Sequence, residues 1–403
     1  MTCLRVGIAL VAACAGLPAV PAHAQSAPAA PAVTFTEHVA PILFARCISC
    51  HRTGEMGPMS LATFAETRPW ARAIRTAVLS RAMPPWGADP HVGAFANDPR
   101  LSDADVSTIV RWADGGAAEG PATQLPALPP RVEGWTMGTP DLVLTMQPFD
   151  IPPSNTSVIR DLPLSKTFDH DTLVQAAEVR PGVRAITHHA NVLVPEGDGT
   201  NRVASFSPGE GGKRYPAGVA KLIPKGTPVA LNMHYNPRGQ ASRDPGTIVG
   251  LQFATGPVRQ IAYTAEAGTH TLDIPPGAAN FAVVGQPFVF EEDTHILSLM
   301  PRMNERGKDF SYTLMLPDGT SRVLLSVPAW NIDWVFTYTL KEPVAAPKGS
   351  RLETLAHFDN SAGNKANPDP TARVKYGPEI MNGYFEYTRD AQDLTTSAIR
   401  PRH

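Results

Sequence analysis

The sequence predicts a multidomain protein in which a small all-α domain precedes an all-β pair of jelly-roll sandwiches. Three observations support this fold class. Apolar residues recur at helical spacing between residues 36 and 115, and a proline-rich stretch follows at 121–140. Short runs rich in Val, Leu, Ile, Phe and Thr then alternate with Pro-Gly and Asp-Gly turn signals. With 403 residues the chain is long enough for two or three domains, and its 41 prolines favour loops and sheet edges.

The N-terminal region, residues 1–24, predicts a secretory signal peptide. Arg5 precedes a short apolar run, and the small residues of Ala22-His23-Ala24 form a cleavage site. A membrane anchor is the alternative, but the run is short for a span and contains Pro18. We therefore expect a periplasmic or secreted protein with no later transmembrane segment, in which residues 25–33 form a flexible tether rich in Ala, Pro and Ser.

The charge composition excludes two classes of partner. Charged residues make up 18% of the chain, and the formal net charge is −2 at pH 7. Charges this sparse and this balanced provide no basic face for a nucleic acid or for an anionic membrane. We expect no nucleic-acid partner.

Three helices are predicted between residues 34 and 120. The first begins at Thr36 as N-cap, the second at a capping box of Thr63 with Glu66, and the third at Ser102 with Asp105. A pair of prolines ends the second helix and a pair of glycines ends the third.

The first helix leads into Cys-Ile-Ser-Cys-His at residues 47–51, the C-x-x-C-H motif through which haem c is attached. The thiols of Cys47 and Cys50 bind the porphyrin covalently, and His51 becomes an axial ligand of the iron. A thioredoxin-like redox pair would need a surrounding βαβ pattern, and a zinc site would need further cysteines. The other two cysteines, Cys3 and Cys14, lie in the predicted signal peptide. We expect one haem c and a cytochrome c domain over residues 34–120.

Met83 is the candidate for the sixth ligand of the haem iron. A thioether in this position favours the reduced iron. Met83 lies where the second helix ends in a rigid Pro-Pro loop, which would hold its sulfur in one place. Met56 and Met59 are competitors, and packing is the usual role of methionine.

After the proline-rich linker at 121–140, short strands predict one sandwich over residues 141–262, a second over 263–390 and a C-terminal tail at 391–403. The clearest hairpin spans residues 311–327 around Pro-Asp-Gly-Thr.

Three histidines of the first sandwich are candidate copper ligands. His188 and His189 lie within one apolar run, and His234 ends another. Three neutral imidazoles suit copper and leave coordination positions open. Adjacent residues of a regular strand point to opposite faces, so His188 and His189 share a metal only where the strand is twisted, bulged or ending. The alternative is one packed and one exposed ring.

Two resemblances extend these predictions. Residues 39–120, with Arg68-Pro69-Trp70 and Met83-Pro84-Pro85-Trp86, resemble the cytochrome c domain of bacterial fusions to copper monooxygenase modules. Residues 141–387 are similar to the copper type II, ascorbate-dependent monooxygenases, the family of peptidylglycine alpha-hydroxylating and dopamine beta-monooxygenase. The second resemblance rests on the His-His pair, on His234-Tyr235 and on several short segments. It implies that His188, His189 and His234 hold the electron-transfer copper.

The sequence departs from this family at the second copper, which a His-x-His pair and a methionine hold. Arg302 and Asn304 occupy the positions of the two histidines, and neither residue is a good copper ligand. Met381 matches the methionine. His270, His295 and His357 are the histidines that would have to substitute.

The combined expectation is a periplasmic haem c and copper redox protein, a copper-dependent monooxygenase that receives electrons from its own cytochrome domain. Its partners would be a periplasmic electron donor or acceptor, a small organic substrate and oxygen. The alternative is a non-hydroxylating electron-transfer or copper-binding protein that has lost the catalytic copper. A carbohydrate-binding sandwich with a cytochrome attached would contain no copper.

Overall fold

The computed structural model describes residues 32–131, 134–196 and 199–391. The predicted signal peptide, most of the predicted tether and nearly all of the predicted tail lie outside these ranges. From Val33 onward the chain forms one compact unit. It consists mostly of sandwich-type β-sheets with few helices. No helix in the described ranges has both the length and the apolar composition required to cross a bilayer.

The helices all precede the sheets. A π-helical turn at Phe35–Val39 leads into the first of them, and 3₁₀ turns lie at Arg68–Trp70 and Ala122–Gln124. The helices are α1 (Ala40–Arg46), α2 (Phe64–Thr67), α3 (Ala71–Leu79) and α4 (Asp103–Asp114).

Two helix starts are confirmed at their capping residues. At α4, the Asp105 backbone N–H donates to the Ser102 hydroxyl (3.1 Å), and the Ser102 backbone N–H donates to the Asp105 carboxylate (3.3 Å). At α2, the Glu66 backbone N–H donates to the Thr63 hydroxyl at 3.2 Å. These bonds satisfy backbone donors that the first turn of a helix leaves without partners.

The predicted start of the first helix is wrong by two residues, because the N-cap is Thr34 and not Thr36. The backbone N–H groups of Phe35 and Thr36 donate to the carbonyls of Ala118 and Glu119, both at 2.9 Å. This pairing with the end of the helical region holds the entry to the helix, and a local capping pattern cannot reveal it.

The second predicted helix is interrupted. A 3₁₀ turn containing Pro69 separates α2 from α3, because proline removes a backbone donor from the helix. α3 ends at Leu79, and Arg81 follows with a φ of 57°. Met83 therefore lies beyond a left-handed turn, four residues after the helix ends.

The first sandwich contains eleven strands. They are β1 (Leu142–Thr145), β2 (Phe149–Ile151), β3 (Val158–Thr167), β4 (Thr172–Arg180), β5 (Thr187–Glu196), β6 (Gly199–Phe206), β7 (Lys213–Arg214), β8 (Val219–Ile223), β9 (Pro228–Tyr235), β10 (Ser242–Asp244) and β11 (Ile248–Phe253). One sheet has the order β1-β11-β4-β8 and the opposing sheet the order β3-β9-β5-β6. Buried residues from both sheets, including Leu144, Val174, Val192 and Leu231, form its core.

The second sandwich begins at β12. Its strands are β12 (Gln260–Glu266), β13 (Asp273–Ile274), β14 (Phe281–Val284), β15 (Phe288–Val289), β16 (Thr294–Arg302), β17 (Gly307–Met315), β18 (Ser321–Val327), β19 (Tyr338–Ala346), β20 (Arg351–Phe358), β21 (Val374–Lys375) and β22 (Asn382–Asp390). The order is β12-β22-β16-β19 in one sheet and β14-β20-β17-β18 in the other. The hairpin predicted at residues 311–327 is confirmed as β17 and β18.

The two sandwiches share a sheet. β8 pairs in parallel with β12, so the strand order runs without a break from β1 in the first sandwich to β19 in the second. This pairing brings β6 of the first sandwich and β16 of the second to a common interior, where Arg202 contacts Met300.

Candidate metal centres

The strand pairing explains how His188 and His189 reach the same place. In the register between β5 and β9, Thr187 lies opposite Tyr235 and His189 lies opposite His234. The register shifts between these two pairs, so His188 is the extra residue of a β-bulge. A bulge changes the direction of a side chain relative to the regular alternation. The strand is therefore bulged at His188, which is one of the conditions under which His188 and His189 can share a metal.

The three imidazoles converge. Nδ1 of His188 lies 3.0 Å from Nδ1 of His189. The ring of His234 lies 4.8 Å from the His188 ring and 4.5 Å from the His189 ring, centroid to centroid. One nitrogen from each ring falls within 4.8 Å of the others. Within the described ranges this is the one group of three or more His, Cys, Asp or Glu side chains close enough to share a metal.

The hydrogen bonds of these rings fit a metal site. Nε2 of His188 lies 2.9 Å from the carbonyl oxygen of Asp333, which can only accept, so we assign the proton to Nε2 and the lone pair to Nδ1. Such a bond on the far nitrogen is usual for a metal-bound histidine. Nε2 of His234 is buried and has no hydrogen-bond partner. A buried polar atom without a partner is costly, and a metal would satisfy it.

Burial also keeps the three rings neutral. It lowers the pKa of His188, lowers that of His189 well below the ordinary value and lowers the pKa of His234 to about 4. Neutral imidazoles have the free lone pairs that a metal needs. The residues present therefore fit a copper ion held by His188, His189 and His234.

The C-x-x-C-H motif continues the end of α1 as a helical turn. The backbone N–H groups of Cys50 and His51 donate to the Cys47 carbonyl at 3.1 and 2.9 Å. Residues three and four positions apart in such a turn lie on one side, so both thiols and the imidazole are directed together. Nδ1 of His51 lies 3.2 Å from the carbonyl of Met59, which leaves Nε2 available to iron.

The thiols do not resemble those of a redox-active cysteine pair. Burial raises the pKa of Cys47 to about 12 and also raises the pKa of Cys50. A redox-active Cys-x-x-Cys pair has a lowered thiol pKa instead. The raised thiol pKa values therefore argue against the thioredoxin-like alternative.

The candidate sixth ligands lie in different places. The Met59 carbonyl bonds the nitrogen of His51 that faces away from the iron position, so Met59 lies behind the proximal ligand. Met56 belongs to the same loop. Met83 lies in a separate segment after α3 and is partly buried. Because a sixth ligand must come from the face opposite His51, Met83 stays the prediction.

The haem motif contacts the sandwich that carries the three histidines. The Arg184 guanidinium donates to the Glu55 carboxylate at 2.7 Å, and Arg184 is four residues before His188. A Cβ on Gly209, in the loop after β6, would lie 3.2 Å from the sulfur of Cys50. The same loop is tied to the segment that holds His188, because the Ser207 hydroxyl donates to the Val335 carbonyl at 3.1 Å.

The residues that the resemblance assigns to a second copper site have their side chains in other contacts. Arg302 ends β16, and its guanidinium donates to the carbonyls of Pro301 (3.0 Å) and Phe336 (3.4 Å). The Asn304 amide donates to the Pro378 carbonyl at 3.2 Å. Met381 is fully buried in the hydrophobic core of the second sandwich.

The three histidines considered as substitutes have other surroundings. His270 is mostly exposed and its ring stacks near Tyr376, 4.8 Å away. His295 is exposed on β16. Nδ1 of His357 lies 2.7 Å from the Asp309 carboxylate. None of them joins a group of three potential ligands in the described ranges.

Sequence reasoning did not find Asp333, Glu55 or Arg184. Each acts through a contact with a residue more than a hundred positions away. Asp333 contributes its backbone carbonyl, which no residue type marks, and the ion pair of Glu55 with Arg184 has no spacing pattern.

Comparison with protein-family models and with curated protein sequences finds no match. Solved structures give weak similarity. The subviral particle of infectious bursal disease virus VP2 is 11% identical, with a TM-score of 0.22 over 68% of this chain and 78% of that chain. The major capsid protein of bacteriophage PM2 is 10% identical, with a TM-score of 0.29 over 62% and 97%. A β-porphyranase from Bacteroides plebeius is 10% identical, with a TM-score of 0.17 over 63% and 37%. Function is therefore argued from the sites.

Proposed function

We propose that this protein is a periplasmic or secreted redox protein that holds one haem c and one copper and passes electrons between them. The observation that carries the proposal is the contact between the C-x-x-C-H region and the sandwich that holds the three histidines. The haem motif is joined to the histidine-bearing sandwich by the Glu55–Arg184 ion pair and by the approach of Gly209 to Cys50.

Haem iron and copper, when bound, each exchange a single electron. Cys47 and Cys50 attach the porphyrin, His51 ligates the iron, and the Met59 carbonyl orients the His51 ring. His188, His189 and His234 supply three neutral nitrogens, and the Asp333 carbonyl orients His188. The loop after β6 connects the two groups of ligands, because Gly209 approaches Cys50 and Ser207 bonds to Val335, two residues from Asp333.

An anaerobic experiment tests this proposal. Purified protein is depleted of copper, its haem is reduced with dithionite, and excess reductant is removed. One equivalent of Cu(II) is then added while the haem absorption bands are recorded. We expect one haem to be oxidised for each copper bound.

The matched controls are histidine variants. His234→Ala removes a proposed ligand, whereas His295→Ala removes an exposed histidine of β16. The first variant should not oxidise its haem at one equivalent of Cu(II), and the second should behave as the wild type. Equal haem oxidation in both variants would remove the three-histidine site from the proposal.

The second candidate function is copper-dependent monooxygenation. Its support is the three-imidazole ligand set, which leaves coordination positions open for oxygen, together with the family resemblance. Arg302 and Asn304 stand where the family has its catalytic ligands, so such a reaction would depend on an atypical site. Oxygen uptake by the reduced protein, coupled to a hydroxylated product from a candidate substrate, would establish this function over simple electron transfer.

A further inference from the structure

Two arginines from different sandwiches lie beside the three histidines. Arg202 lies on β6 and Arg302 ends β16. The Arg202 guanidinium reaches Met300 of β16, two residues before Arg302, and Arg302 donates to the Phe336 carbonyl in the same segment whose Asp333 carbonyl holds His188. The two arginines therefore occupy the same interior as the histidines.

Neither arginine forms an ion pair with a carboxylate in the described ranges. No Asp or Glu oxygen in the described ranges lies within ion-pair distance of either guanidinium, although arginines such as Arg389 and Arg184 have such partners. Arg302 has only the backbone carbonyls of Pro301 and Phe336. Arg202 donates to the sulfur of Met300 and lies over the Tyr384 ring, 5.3 Å from its centroid.

Arg202 also has a buried donor without a partner. Its Nε is inaccessible to solvent and makes no hydrogen bond. A buried charged donor left unpaired is costly, and a guanidinium most often meets this requirement with a planar oxyanion.

The electrostatics point the same way. Burial and, after it, repulsion from Arg202 together lower the pKa of Arg302 to about 9. Glu210 is a carboxyl group that acts electrostatically on both arginines. Glu210 supplies one carboxyl group against two guanidinium groups, and its Oε1 is buried without a hydrogen-bond partner. The interior retains an excess of positive charge.

We infer that Arg202 and Arg302 form a binding site for a small organic carboxylate between the two sandwiches, beside the three-histidine cluster. A carboxylate accepts two parallel hydrogen bonds from the edge of a guanidinium, which matches the free Nε of Arg202. The aromatic ring of Tyr384 and the thioether of Met300 border Arg202, so an organic monoanion suits the site better than an inorganic dianion. The inference stands on the arginines and does not rest on the proposed function.

The test uses benzoate and its neutral analogue benzamide as probes on the full protein. Binding is measured by isothermal titration calorimetry, first with haem and copper present and then after copper removal. We expect benzoate to bind at least about tenfold more tightly than benzamide, because bonds to charged groups are stronger than neutral ones. Equal affinities, or binding of inorganic phosphate in place of benzoate, would overturn the inference.

Variants locate the site. Arg302→Gln should weaken benzoate binding about ten- to a hundredfold, and Arg302→Lys should weaken it less because the charge is kept. Arg373→Gln is the control, since Arg373 pairs with Asp273 on the surface of the second sandwich. Arg202→Gln provides an independent variant if Arg302→Gln does not fold. Wild-type affinity in every folded variant of the two arginines would contradict the site.

Copper content and haem spectra are recorded for the same samples. Loss of benzoate binding with copper and haem retained supports the carboxylate site. Retained benzoate binding in both Arg302→Gln and Arg202→Gln would refute the carboxylate site. Absence of copper from the wild-type protein would separately refute the proposed copper site.

Discussion

The candidate metal positions of the two sandwiches differ in whether their donor atoms are free. At the bulge of β5, three imidazoles converge, remain neutral and leave Nε2 of His234 without a partner. At the end of β16, Arg302 places a half-buried cation, Asn304 bonds the Pro378 carbonyl and Met381 packs in the core. The first arrangement has donors available to a metal, whereas the second has its candidate donors already engaged.

This difference shows that a β-sandwich does not by itself determine which metals it binds. Metal affinity depends on free lone pairs directed at one point, and a guanidinium repels a cation at the same place. The three histidines are therefore the proposed copper site, and the proposed anion site lies at the arginines beside them. Four predictions test this contrast.

The largest effect is expected at the histidines. Loss of an outer hydrogen-bond partner of a metal ligand lowers metal affinity roughly 10- to 100-fold. His234→Ala removes a proposed ligand itself, so it should lower copper affinity by more than this. His188→Ala and His189→Ala should do the same, and His295→Ala should not. Copper content is measured by mass spectrometry after dialysis against a weak chelator. Wild-type copper in all three ligand variants would assign these residues to packing alone.

Met381 is expected to matter for stability and not for copper. Met381→Ala should lower the free energy of unfolding by about 2–5 kcal/mol, because the side chain is fully buried in a hydrophobic core. Met381→Leu should cost less than about 1.5 kcal/mol, since it conserves volume. Urea unfolding followed by circular dichroism gives both values. A variant with unchanged stability and less copper would make Met381 a ligand.

A smaller effect is expected at the contact between the haem motif and the first sandwich. Arg184→Gln removes the ion pair with Glu55, whose side chains are 35% and 14% exposed. Stability should change by only about 1 kcal/mol, since partly exposed pairs contribute little. Electron exchange between haem and copper should slow several-fold, as measured by flash reduction of the loaded protein. Arg373→Gln is the matched control, and the same slowing in that variant would argue against a role for the contact.

The smallest change is expected from introducing two histidines at positions 302 and 304. The double substitution Arg302→His with Asn304→His should leave the protein with one copper per chain. Residue 304 lies against Pro378, and Met381 is held in the core, so the three side chains do not share an open site. Metal analysis by mass spectrometry checks this. Two coppers per chain would show that the second sandwich keeps a usable site after all.

Local patterns predicted much of the structure correctly. The capping box at Ser102, the N-cap bond at Thr63 and the hairpin across residues 311–327 follow from bonds between near neighbours in the chain. The start of the first helix was missed because residues 118 and 119 hold it. The break at Pro69 follows from the missing backbone donor of proline, although the spacing of apolar residues predicts one continuous helix.

The sequence by itself determined the candidate ligands: the C-x-x-C-H motif, the three histidines and the absence of histidine at positions 302 and 304. Only the tertiary structure decided how they are arranged. The bulge that turns His188 toward His189 depends on pairing between β5 and β9, and the bond from His188 to Asp333 joins the two sandwiches. The meeting of Arg202 with Arg302 depends on the sheet that both sandwiches share. Such contacts join residues far apart in the chain, so their geometry is set by packing and leaves no periodic signal in the sequence.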